Sequence, residues 1–328
     1  MVGLATARAI ARSGRAVLVL ERHRIGHDRA SSHGASRIFR LSYPEPEWVS
    51  LAQQALPLWL ALEAEAGERL LNLTGSIDLG AIEPQRHALA ACGAAFDILD
   101  AAEVELRWPL VVPAGGQVLF QPDGGWIRAD AALRALHASA TAAGAEVLEG
   151  TPAEEVTSDA GGVRVAGLRA RAAVVAAGAW TPSLVELDAR PTVETVTFFS
   201  LEDSVELPAV LDQTTSAQTG FEAYALPSPG DGLKVGFHAS GPSADVDACG
   251  RPDAAVVEWA TAWATSRLAA ASRLLRAETC LYTGLPGERF ALERRGRVIV
   301  GSACSGHGFK FAPLVGDRLA ALAAEAIA

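Results

Sequence analysis

The chain has 328 residues, is 50% hydrophobic and 20% charged, and carries a formal net charge of -10. That length suits one large or two medium domains whose core needs no staple, and the acidic balance argues against nucleic acid or anionic membrane as partners, since both select clustered Lys and Arg. Cys92, Cys249, Cys280 and Cys304 lie far apart with no C-x-x-C spacing, so no metal site or disulfide framework is indicated and a reducing, cytoplasmic setting with a small-molecule substrate is expected.

The opening stretch, MVGLATARAIARSGRAVLVLERH, reads as the second half of a dinucleotide-binding βαβ unit. Gly3 leads into an alanine-rich helix over residues 5–11, which should stop at Ser13-Gly14. Residues 16–20, AVLVL, form a continuous apolar run of the kind buried in parallel sheets, and Glu21 ends it at about the 20-residue spacing at which an acid meets a ribose hydroxyl. Any αβ pair would read similarly, because the strand ending in Gly-x-Gly that should come first is absent. Arg8, Arg12 and Arg15 interrupt the segment, so no secretory leader is expected, and no apolar run is long enough to span a membrane.

Further along, PEWVSLAQQALPLWLALEAEAG has a helical apolar pattern. Residues 146–148 predict a strand, 160–162 a hairpin turn, and AAVVAAGAW a buried strand running into Ala177-Gly178-Ala179, whose small side chains permit close backbone approach. SLEDSVELPAVL, GFEAYALP and GLKVGFHA predict strands; residues 297–301 predict another, followed by a Gly-rich loop and a closing helix. Three βα segments at the start, middle and end of the chain point to one discontinuous nucleotide-binding domain, with a second domain braided through it.

Three stretches concentrate chemistry. In SSHGASRIFRLSYPEPEW, Arg37 and Arg40 would share a face if the segment were a helical turn, presenting two guanidiniums to an acidic ligand; solvated arginine is the bland alternative. In GLKVGFHASG, period-two alternation puts Lys234 and His238 on one face of a strand; facing a cofactor, they would form a cationic wall. In CSGHGFKFAPLVGD, Gly306 and Gly308 free the backbone ahead of a helix N-terminus, and Lys310 sits at its mouth between Phe309 and Phe311.

The set SSHGASRIFR, AYALPS, GLKVGFHASG, ETCLYT and SGHGFKF, in this order and spacing, resembles the family of monomeric sarcosine oxidase and N-methyl-L-tryptophan oxidase, flavoproteins of the D-amino acid oxidase superfamily. The resemblance runs over nearly the whole chain. It implies an α/β two-domain fold: a Rossmann-like FAD-binding domain over 1–78, 144–190 and 280–328, lacking its first strand, interleaved with a mixed-sheet substrate domain over 79–143 and 191–279. It implies a monomer that oxidises N-methyl amino acids with dioxygen, giving formaldehyde, the amino acid and hydrogen peroxide. Cys280 matches the cysteine that tethers FAD through a thioether, Arg40 and Lys310 the pair that binds the substrate carboxylate, and Lys234 the lysine that promotes oxygen reduction. His238 and Tyr224 match residues lining the amine pocket, His33, Ser36 and Arg37 positions at the flavin face, Glu21 the ribose acid, and Gly306, His307 and Gly308 the cradle of the flavin pyrimidine. Gly3 then reads as the last glycine of a Gly-x-Gly-x-x-Gly loop.

Two alternatives stay open at this stage. One is a related D-amino acid or glycine oxidase or amine dehydrogenase, which would have no reason for Cys-Leu-Tyr-Thr. The other is an inactive chain, short at both ends, that cannot hold FAD; a functional start upstream of Met1 is the corresponding expectation.

Overall fold

A computed structural model describes every residue except 114, 202–204, 249 and 269–272, so Cys249 lies outside the described residues. The opening segment forms the helix Val2–Arg12, which buries Leu4, Ala5, Ala7 and Ala11 and exits at Ser13-Gly14, where Gly14 takes a φ of +77°. This helix packs on the C-terminal helix Ala312–Glu325. At their contact a Cβ on Gly316 would lie 2.6 Å from the Ala5 carbonyl carbon, so glycine is what lets the two backbones touch.

The strand after it, Leu18–Leu20, pairs in parallel with Glu146–Leu148. Its apolar run predicts full burial, yet Leu18 is 40% exposed. The reason is that Leu18 and Leu20 line a large cavity, while Val19 packs against Ala7, Ala11, Ala140 and Ala145. The strand Ala173–Val175 pairs in parallel with Val298–Ser302, which pairs in antiparallel fashion with Ala291–Arg295. The predicted hairpin forms between Val156–Asp159 and Gly162–Val165.

The helix Pro46–Ala66 carries Val49, Ala52, Ala55, Trp59 and Leu62 on one buried stripe and ends at Gly67 in the left-handed region. With Ala129–Ala142 and the two terminal helices it shares a core that includes Phe39, Leu41, Tyr43 and Phe311. A second core lies between the helix Ala254–Arg267 and an eight-stranded mixed sheet. Asp253 caps that helix by accepting from the amides of Ala255 and Val256.

The sheet runs in the order Leu274–Gly284, Arg190–Phe199, Gly232–Phe237, Ala223–Ser228, Ala209–Asp212, Ser76–Leu79, Val118–Gln121, Asp97–Leu99. The pair Ala209–Asp212 and Ser76–Leu79 is parallel and the other neighbours are antiparallel. Ser76–Leu79 and Leu274–Gly284 span the positions 78/79 and 279/280 at which the chain was expected to pass between domains. SLEDSVELPAVL becomes strand only at Ala209–Asp212, after Pro208, which has no amide to give a ladder; 202–204 are among the residues outside the description. Among the described residues no helix is long and apolar enough to cross a membrane.

Candidate active site

One cavity of about 1440 Å³ collects every residue singled out above: Gly3, Glu21, His33, Ser36, Arg37, Arg40, Tyr224, Lys234, His238, Cys280, Gly306, His307, Gly308 and Lys310 all line it. They arrive from segments hundreds of residues apart because the strand ends of the small sheets and the large sheet meet over the same space.

At one end the helix Val2–Arg12 presents Gly3 close to the strand end that follows Val175: a Cβ there would come within 3.9 Å of Ala176 Cβ. Ala176, Ala177 and Gly178 line the cavity beside it. Glu21 accepts from the His23 amide (2.8 Å) and stands 3.6 Å from His27 Nε2. These positions leave an open, small-residue approach to a helix N-terminus with an acid nearby, the layout that suits a dinucleotide.

In the middle, the segment carrying Arg37 is a strand, Ser36–Phe39, paired with Gly125–Arg128, and not a helical turn. Ile38 and Phe39 favour the pleat, and Arg40 lies one residue beyond the strand's end, so the helical turn that would bring the two side chains together does not form. Arg37 and Arg40 are therefore not a two-guanidinium clamp. Arg37 is consumed locally: its guanidinium donates to the carbonyls of Ser36 (2.8 Å), Ser31 (2.7 Å) and His33 (2.5 Å) and lies 5.7 Å from the Phe309 ring centroid. It thereby shapes the loop 31–36. Within that loop His33 Nε2 and Ser36 Oγ are buried with no hydrogen-bond partner among the described residues. Burial, then the cations Arg37 and Lys234, push His33 down to about 4, so it stands neutral at pH 7.

Lys234 is only 6% exposed. Burial and the nearby Arg37 push it down to about 7. Cys280, on the strand Leu274–Gly284, is likewise buried; burial raises its thiol while the Lys234 and Arg37 cations pull the other way. His238, just past the strand that holds Lys234, places Nε2 2.9 Å from Glu288 Oε1. Gly306 has a φ of +72°, and a Cβ there would lie 2.5 Å from both His238 Cε1 and Tyr282 Cε2. Tyr224 packs its ring over Gly236, and burial raises its hydroxyl above the ordinary value.

Lys310, 4% exposed, donates to Tyr43 Oη (2.8 Å) and to the His307 carbonyl (2.8 Å). Tyr43 Oη stands 3.0 Å from His307 Nδ1, and His307 Nε2 stands 2.9 Å from the Glu288 carbonyl. A carbonyl can only accept, so Nε2 carries the proton and the Tyr43 hydroxyl donates to Nδ1. Burial and then Lys310 push His307 down to about 3, consistent with a neutral ring. Its imidazole is packed among Tyr43, Trp48, Phe290 and Phe311, and its amide donates to the Cys304 carbonyl at 2.9 Å. Burial, with Arg40 nearby, holds Lys310 well below its ordinary value.

Arg40 lies 4.3 Å above the Tyr43 ring centroid, donates to the Ser42 carbonyl, and sits 3.7 Å from Asp78 Oδ1. Lys310 Nζ is 5.4 Å from the same centroid. Tyr43 thus brings Arg40 and Lys310 to one place. Asp78 is fully buried, and burial raises it to about 6 against the pull of Arg40.

A sequence model of the FAD dependent oxidoreductase (DAO) family matches residues 1–322. The chain belongs to the FAD-dependent oxidoreductase family. Its fold is that family's α/β two-domain flavoprotein architecture, and the small-residue approach at Gly3 and the orphaned His33 Nε2 and Ser36 Oγ are places where FAD can be received. Among relatives of this FAD-dependent oxidoreductase, a monomeric sarcosine oxidase from Arthrobacter sp. (strain TE1826) is 28% identical, over 98% of this chain and 90% of the relative. An N-methyl-L-tryptophan oxidase from Yersinia pestis (strain Pestoides F) is 29% identical, over 99% and 92%. The solved structure of NikD, an unusual amino acid oxidase essential for nikkomycin biosynthesis, superposes in its open form with a TM-score of 0.87 at 29% identity, covering 99% of this chain and 91% of that one.

Tyr43, Asp78, Trp59 and Glu288 were not singled out from the sequence. Tyr43 stood in a quoted motif, three residues after Arg40, and its spacing gave a signal; Asp78 and Glu288 gave none, because their significance lies in contacts across the fold.

Proposed function

We propose that this chain is an FAD-dependent oxidase of secondary amino acids, sarcosine or another N-methyl amino acid, that yields formaldehyde, the demethylated amino acid and hydrogen peroxide. The observation that carries the reading is the placement of Arg40 and buried Lys310 over one tyrosine ring in the same cavity that Gly3 and Glu21 line. Two cations with little access to water suit a carboxylate. A carboxylate held there fixes the amine toward the middle of the cavity and supplies the orientation that makes transfer effectively unimolecular.

FAD, when bound, accepts a hydride equivalent from the substrate and passes electrons to dioxygen. The chain's own contribution is electrostatic. Lys234 and Arg37 line the cavity, where positive charge disfavours an ammonium and so favours the neutral amine that can be oxidised. Lys234 is further assigned to oxygen reduction, Tyr224 and His238 to the amine pocket, and Gly3, Glu21, His33, Ser36 and the backbone of Gly306, His307 and Gly308 to FAD. Cys280 is its covalent tether, and residues 1–78, 144–190 and 280–328 form the cofactor-binding domain of a monomer. Support comes from the names of the relatives and from the convergence of these side chains on one cavity.

The test is a panel of sarcosine, N-methyl-L-tryptophan, other N-methyl amino acids, glycine and D-amino acids, read by peroxide and formaldehyde release. Peroxide with formaldehyde from an N-methyl substrate is the expected result; turnover of glycine or D-amino acids alone would refute the reading. Flavin colour that stays with the acid-denatured polypeptide, and leaves it in Cys280→Ser, checks the tether.

A further inference from the structure

The run of hydrogen bonds that begins at Lys310 continues beyond His307. The Nε2–H of His307 ends on the carbonyl of Glu288 at 2.9 Å, and the carboxylate of that same residue stands 2.9 Å from His238 Nε2. One residue therefore holds two histidines, one following the strand Gly232–Phe237 and one preceding the turn Gly308–Phe311. It does so at a φ of +54°, beside Gly287 at +64°. A residue with a Cβ is disfavoured in that region, and glycine would be at ease there. Packing does not explain the choice, since 58% of the Glu288 side chain is exposed. What the side chain does have is the contact with His238, and the hydrogen bond to that ring holds its carboxyl below the usual range.

We propose that Glu288 is a positioning residue whose carboxylate fixes the His238 ring while its carbonyl fixes the His307 ring. Through His307 and Tyr43 it also sets where the Lys310 ammonium stands. A substrate held by its carboxylate at Lys310 then meets His238 at a distance set by this single residue. The proposal rests on the reading of the cavity as the oxidation site of an amino acid oxidase. It places no demand on FAD attachment or on which N-substituent is removed.

Glu288→Gly and Glu288→Gln, made in the FAD-loaded enzyme, separate the carbonyl from the carboxylate. Glu288→Gly keeps the carbonyl and suits the backbone, so thermal stability should hold or rise while kcat/KM falls on the order of 10- to 100-fold, the scale of loss when reacting groups are misplaced by about 1 Å. Glu288→Gln keeps an oxygen acceptor at the same reach and should restore most of that loss. Independently of turnover, nitrogen shifts of isotope-labelled histidine should show a single His238 tautomer in the parent that averages in Glu288→Gly, while His307 stays protonated on Nε2 in both. An unchanged His238 tautomer in Glu288→Gly, or stability and activity falling together there, would overturn the proposal. If the parent protein oxidises nothing in the substrate panel, the functional reading fails, and the histidine spectra still decide the role of Glu288.

Discussion

Replacing Lys234 by Met should make the protein more stable at neutral pH while impairing the chemistry. Lys234 is buried and pushed from its ordinary 10.5 down to about 7 by desolvation, with Arg37 adding to it. Between pH 7 and 10.5 the unfolded chain therefore binds a proton that the folded chain does not. Stability contributed at this position rises with pH across that window, by about 1.4 kcal/mol per unit, and below pH 7 the full cost of the buried charge is present. At pH 7 the linkage relation gives a cost on the order of 4 kcal/mol, which shrinks toward zero by pH 10.5. Met has similar length and no charge, so it removes the cost. Urea unfolding of both proteins, prepared without flavin, at several pH values between 6 and 11 measures the difference, from which titrations common to both cancel. Met should be ahead by several kcal/mol at pH 7, and the two should converge by pH 10.5. A gap that does not change with pH would refute the reasoning. In the loaded enzyme, stopped-flow traces should show flavin reoxidation slowed far more than flavin reduction; equal slowing would remove Lys234 from the oxygen step.

Gly306→Ala places a Cβ 2.5 Å from His238 and Tyr282 at a φ of +72°, so backbone strain and overpacking together should cost about 2–5 kcal/mol, seen as a lower denaturation midpoint. Lys310→Met removes a buried ammonium that the carboxylate reading makes an anchor. KM for carboxylate substrates should rise roughly 10- to 100-fold with a smaller change in kcat, and an amine lacking the carboxylate should be oxidised no more slowly. Trp59→Phe deletes the indole N–H that donates to the Lys310 carbonyl at 2.6 Å and strands a buried acceptor; unfolding free energy should fall by about 1–3 kcal/mol.

Local pattern carried much of the fold. Alanine spacing announced the helix Val2–Arg12, Ser13-Gly14 its exit, and Ala160-Gly161 the hairpin turn, because each is decided by neighbours in the chain. The exposure of Leu18 was not legible, since an apolar strand looks the same whether it faces a packed layer or a cavity that takes a ligand. Arg37 and Arg40 would share a face only on a helical turn, and local sequence could not choose: Ile38-Phe39 paired with 125–128 makes the segment a strand that ends at Phe39, just before Arg40. The cavity residues themselves could be named from motifs, but their electrostatics could not. That Lys234 is buried beside Arg37, that Tyr43 gathers Arg40 and Lys310, and that Glu288 bridges two histidines are consequences of contacts across long sequence separations.

The order of strands in the eight-stranded sheet also bears on how the chain is made. Leu274–Gly284 flanks Arg190–Phe199, and Val298–Ser302 is what Ala173–Val175 pairs with. A ribosome that has delivered the first 200 residues has therefore delivered strands whose ladders are not yet available, with apolar edges such as Val193, Val196 and Phe198 waiting for partners some 80 residues downstream. Folding of this enzyme should be late and nearly all at once, and the nascent chain should depend on chaperones most heavily in the interval between those two strands.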